Sequence, residues 1–142
     1  GTRVGGVVGR WRLVLAGDSL SVVCQLPVRA SAAVECLLLV KVAGEESKSG
    51  IAPAYAAGFL EQVAALDRVV FRGLMTMPPL TAEPEAARPA FVALRGLRDR
   101  LAPEWGGRHA LSELSMGTSQ DFAVAAQEGA TIVRVGSVLF AE

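Results

Sequence analysis

Two short turns of small residues, Ser115-Met116-Gly117-Thr118-Ser119 and Gly136-Ser137, each follow an apolar run, and a helical segment separates them. Gly117 lets backbone approach a ligand, and Thr118 and Ser119 supply hydroxyls where a helix begins. Free N–H groups and the positive end of the helix dipole at such a start suit a phosphate. Thr118-x-x-Asp121 also has the spacing of a capping box, with Asp where Glu or Gln is usual, so a well-capped strand-to-helix turn explains the same residues. The second turn favours the anion site, because barrel enzymes hold phosphate between their last two strand–helix loops. Between the turns, Arg134 alternates with Val133 and Val135 and so faces away from them. A buried arginine needs a partner: an anionic ligand, or a neighbouring carboxylate.

Other chemistry is thinly supplied. One histidine, His109, precedes a strand at the end opposite the turns, and the two cysteines, Cys24 and Cys36, form no Cys-x-x-Cys pair, so a zinc site is not expected. The cysteines read as buried free thiols in a reducing compartment. No Gly-x-Gly-x-x-Gly, P-loop lysine, Ser/His/Asp set or paired carboxylates present themselves, which argues against dinucleotides, nucleoside triphosphates and common hydrolytic chemistry. Twelve of the fourteen basic residues are arginine, leaving Lys41 and Lys48 as the only side-chain amines.

The elements that position these residues follow from periodicity. Arg12–Ala16 reads as a strand, with Asp18 or Ser19 capping a helix toward Ala33. Cys36–Val42 is an apolar run typical of a strand buried on both faces. The polar loop Gly44–Gly50, with Glu45, Glu46 and Lys48, reads as a solvated charge run or a rim to the ligand face. A helix from Pro53 uses Tyr55, Phe59, Leu60, Val63 and Leu66. Val69–Met77 is the next strand; at its end Thr76 offers a hydroxyl, and Met75 and Met77 read as core filler or as packing for a flat ring. A helix over about Glu85–Ala102 carries the stripe Phe91, Leu94, Leu97 and Leu101, and Pro103 ends it. Leu111–Met116, Ser119–Glu128 and Thr131–Phe140 give a strand, a short helix closed by Gly129, and a final strand. The alternation predicts about five parallel strands with outer helices.

The 142 residues suit a single domain over 1–142, 51% apolar and 20% charged, with fourteen acidic residues balancing fourteen basic ones. That balance draws no nucleic acid and no anionic membrane over distance. No apolar run is long enough to span a membrane and no signal peptide opens the chain, so a cytoplasmic location is expected. The first residue is Gly1 rather than methionine.

Four blocks, GEESKSG (44–50), RGLMTMPP (72–79), LSELSMGTSQDF (111–122) and EGATIVRVGSVLF (128–140), with a weaker one over Val7–Ser21, together resemble the pyridoxal phosphate homeostasis protein family. Its barrel is shared with the N-terminal domain of alanine racemase. The resemblance implies an α/β fold, here a partial TIM-type βα barrel. It also implies a pyridoxal 5′-phosphate site made by Ser115, Gly117, Thr118, Ser119, Gly136 and Ser137 around the phosphate, with Arg134 facing the ring nitrogen. The family binds and distributes the cofactor without an established reaction, so no enzyme is expected. The family's Schiff-base lysine lies in a block with no counterpart here, and neither Lys41 nor Lys48 occupies its position. The expectation is therefore a truncated, noncovalent binder that serves pyridoxal phosphate-dependent enzymes and self-associates through exposed sheet edges. A racemase-like enzyme and an inert barrel fragment are the alternatives.

Overall fold

The computed structural model describes residues 11–16, 19–25, 33–42, 50–66, 68–78, 82–105 and 109–134. Within them lie six strands: β1 (Trp11–Ala16), β2 (Ser19–Gln25), β3 (Val34–Leu39), β4 (Val69–Met75), β5 (Glu113–Thr118) and β6 (Ile132–Arg134). They form one sheet in sequential order. Pairing is parallel from β3 through β6, the arrangement that strand–helix–strand connections produce. Helices α1 (Ala56–Val63), α2 (Arg88–Trp105) and α3 (Phe122–Gln127) fill those connections. None of the described helices is long and apolar enough to cross a membrane.

The α/β class and the partial barrel stand, but the first unit differs from expectation. Where a helix was predicted from Asp18 or Ser19, β2 runs antiparallel to both β1 and β3. The sheet therefore has four parallel strands and an antiparallel pair rather than five parallel strands. Ala16 pairs with Ser19, which leaves two residues, Gly17-Asp18, for the connection. Gly-Asp is a two-residue hairpin signal as well as a helix start, and the β-branched Val22-Val23 favours the strand.

The hairpin also overturns the reading of the cysteines as free thiols. Cys24 and Cys36 are direct partners in the β2–β3 register and are joined by a disulfide. The two cysteines therefore do not mark a reducing compartment.

Two further boundaries move. The predicted helix over Glu85–Ala102 begins as a 3-10 turn, Pro84–Ala87, and α2 runs past Pro103 to Trp105. Near a helix end Pro103 forfeits one backbone bond, and Trp105 packs on the main core and edge-on against His109. The short helix starts at Phe122 rather than Ser119, because residues 119–121 form a turn. Gly129, at φ +98°, closes it in the left-handed conformation expected of it.

Side chains on the sheet sort by face. Leu38, Val40, Phe71, Leu74, Leu114 and Met116 belong to the large core beneath the helices, with Leu60, Phe91, Leu94, Leu97 and Leu101. Leu37, Leu39 and Met75 form a separate cluster with Ile132 on the opposite face. Two-residue alternation along β3 and into Val40 sends Cys36, Leu38 and Val40 to the first set and Leu37 and Leu39 to the second. β4 instead passes a register shift, so that Phe71 and Leu74 share the first.

Candidate functional site

Because β3 to β6 are parallel, their C-terminal ends share one edge of the sheet, where barrel folds place ligands. On that edge the inner apolar cluster gives way to two polar side chains, Ser115 and Arg134. Ser115 is buried, between Leu114 and Met116, which face the main core. Arg134 follows the same alternation: Ile132 joins the inner cluster and Val133 packs on the main core. The expected direction of Arg134, away from Val133, is observed.

The Arg134 guanidinium is half-buried and bonds only to neutral groups among the described residues. Nη1 donates to Ser115 Oγ at 3.3 Å and Nη2 donates to the Thr76 carbonyl at 3.0 Å. No described carboxylate forms an ion pair with it, so the ion-pair explanation finds no support there. Burial pushes its pKa down, and the negative charge of Asp121 partly restores it. The group stays cationic, since arginine does not deprotonate in proteins. The result is an inward-facing positive charge over an apolar floor.

The turn after β5 is built by three groups. Gly117 takes φ +105°, and a Cβ there would lie 2.6 Å from the Ala125 Cβ, so glycine is required for turn and helix to meet. The Asp121 carboxylate, buried at 8% exposure, accepts from the Thr118 N–H at 2.6 Å and from its hydroxyl at 3.2 Å. Thr118 Oγ1 in turn accepts from the Gln120 N–H at 3.2 Å. The Thr118-x-x-Asp121 spacing thus forms its capping bond one turn before α3 proper. Ser119 is half-exposed beside it.

The far end of α3 is tied to α2. Glu128 Oε1 accepts from Arg95 at 2.9 Å and Oε2 accepts from Arg88 at 2.5 Å, while Arg88 also pairs with Glu85 and Gln127. Salt links of this kind hold the short helix, and so the turn at its start, against the barrel wall.

Of the seven residues singled out in the sequence, the structure brings Ser115, Gly117, Thr118, Ser119 and Arg134 to one strand edge. Gly136 and Ser137 lie outside the described residues, as do Glu45, Glu46 and Lys48. Lys41 is half-buried just beyond β3, with its backbone N–H bonded to the Ile51 carbonyl. His109 is structural: Nδ1 accepts from the Phe71 N–H at 3.1 Å, and the ring packs between Phe71 and Trp105. Met75 joins the inner floor, whereas Met77 is exposed. Sequence reasoning treated Asp121 only as a cap and overlooked the Thr76 carbonyl as a partner of Arg134. The Thr-x-x-Asp spacing was the available signal for the first; a backbone acceptor leaves none.

Comparison with known proteins bears on the family and the fold. The family model described as alanine racemase, N-terminal domain, matches residues 7–142. A pyridoxal phosphate homeostasis protein of Aquifex aeolicus is 48% identical over 108 residues, covering 76% of this chain and 46% of the relative. One from Pseudomonas aeruginosa is 45% identical over 103 residues, covering 72% and 42%. The structure of PipY from Synechococcus elongatus, solved with PLP bound, is similar at a TM-score of 0.66 and 34% identity, covering 77% of this chain and 50% of PipY. The chain thus spans less than half the length of these two curated relatives.

Proposed function

The chain belongs to the alanine racemase N-terminal domain family, and from that membership we propose that it binds pyridoxal 5′-phosphate, in pyridoxal phosphate homeostasis. The observation that carries the reading is the inward-facing Arg134, cationic and bonded only to Ser115 Oγ and the Thr76 carbonyl among the described residues. A cation above an apolar floor suits a ligand that joins a flat ring to a dianion. The names of the relatives support it, as does PipY, described with PLP bound.

The residues fit the phosphate and ring contacts of such a site. Ser115, the Gly117–Ser119 turn, Gly136 and Ser137 would hold the phosphate, and Arg134 would face the ring nitrogen. When bound to an enzyme, the cofactor supplies an electron sink. A guanidinium at the ring nitrogen opposes its protonation, because two adjacent positive charges repel, and this weakens the sink. That supports a carrier over a catalyst. Relatives named for homeostasis rather than for a reaction point the same way.

The same reading extends to partners and place. Pyridoxal phosphate-dependent enzymes would receive the cofactor in the cytoplasm. A second copy would meet β1 or β6, each paired on one side only among the described residues.

Titrating the protein with pyridoxal 5′-phosphate, then repeating with inorganic phosphate present, tests the reading. Saturable binding that phosphate displaces, and that Lys41→Ala leaves unchanged, is expected. Binding lost in Lys41→Ala would point instead to a lysine-dependent, racemase-like site. No binding at all would mark an inert fragment.

A further inference from the structure

The Asp121 carboxylate is a negative charge built into the turn to which the proposed function assigns the phosphate. It is buried beside the turn, it takes the Thr118 N–H at 2.6 Å and the Thr118 hydroxyl at 3.2 Å, and the hydroxyl oxygen takes the Gln120 N–H. The donors that Thr118 and Gln120 would offer a phosphate therefore already have acceptors. Its negative charge also acts on Arg134, the cation of the same strand edge. The other acidic groups near α3 are engaged at its opposite end, where Glu128 is held by Arg88 and Arg95 and Glu85 by Arg88.

We propose that Asp121 is a built-in competitor of the ligand's phosphate, holding the Thr118 donors and opposing the incoming dianion so that the site releases its ligand readily. The proposal rests on the phosphate-binding reading above and deepens it. A phosphate at this turn either displaces the carboxylate from the Thr118 N–H or binds beside it, and both routes cost affinity. Displacement loses a charge-assisted hydrogen bond, and binding alongside sets like charges close together in a partly buried site. The same acid builds the turn when the site is empty, keeping its backbone ordered without a ligand. A protein that hands its cofactor on gains from an ordered site of limited affinity; one that keeps its cofactor does not.

The simpler role is that of a cap, and it makes a different forecast. Asparagine keeps a side-chain oxygen for the Thr118 N–H, while removing the charge. As a cap alone, Asp121→Asn leaves ligand affinity unchanged. As a competitor, it raises affinity by at least about tenfold, a floor that lies well within the repulsion of one like-charge contact at intermediate dielectric. The gain also shrinks as salt is added, because it is electrostatic.

The experiment is calorimetric titration of wild type and Asp121→Asn with inorganic phosphate and with pyridoxal 5′-phosphate, at low and high salt, after thermal unfolding confirms that both are folded. A gain for both ligands that narrows with salt is expected. A folded variant with equal or weaker affinity overturns the competitor role while leaving the wild-type binding, and the functional reading, in place. A wild type that binds neither ligand removes that reading and this proposal together. Should Asp121→Asn not fold, Asp121→Ser, which also keeps a capping oxygen, carries the same expectation.

Discussion

The two faces of the sheet divide the labour of this molecule. Beneath the helices, Leu38, Phe71, Leu74, Leu114 and Met116 meet Phe91, Leu94 and Leu97 in one continuous apolar core. On the other face, among the described residues, Leu37, Leu39, Met75 and Ile132 cluster, and toward the strand ends they yield to Ser115 and Arg134. Neighbouring residues in one strand consequently have opposite duties. Leu114 and Met116 stabilise the fold, and Ser115 between them lines the candidate site. Val133 and Arg134 repeat the pattern one strand over.

Substitutions on each face break or sharpen that division. Phe91→Ala on the helix side removes a side chain with 0% exposure and is expected to cost about 3–5 kcal/mol of stability, as large cavities in apolar cores do. Denaturant unfolding checks it, and a cost below about 1 kcal/mol would mean the helix-side core is less tightly packed than described. Gly117→Ala sits where the faces meet. Its φ of +105° and the 2.6 Å approach to the Ala125 Cβ predict a loss of about 1–3 kcal/mol together with weaker ligand binding. Stability that falls while affinity holds would detach this turn from the site.

How much of this was legible in the sequence depended on whether a single segment carried its own signal. The run Cys36–Val42 announced a strand buried on both faces, and the stripe Phe91, Leu94, Leu97, Leu101 announced a helix; both are present. Arg134 could be assigned a face because alternation with Val133 needs no knowledge of other strands. Gly17-Asp18 suits a helix start as well as a two-residue turn, the β-branched Val22-Val23 tips the balance only weakly, and pairing with β3 decides it. The Cys24–Cys36 bond was illegible for the same reason: twelve residues of separation say nothing about cross-strand register. Arg134's acceptors were half hidden, since the Ser115 hydroxyl could be named in advance and the Thr76 carbonyl could not.

The central claim is that the inner face binds a phosphorylated ring through Arg134 while the helix-side core holds the fold. Arg134→Gln, measured for both stability and pyridoxal 5′-phosphate affinity, tests it most directly. The expected result is a modest stability change, because the loss of two hydrogen bonds is offset by removal of a partly buried charge that no described carboxylate ion-pairs, with affinity lowered at least about tenfold. Unchanged affinity in the folded variant would contradict the claim and place the ligand elsewhere.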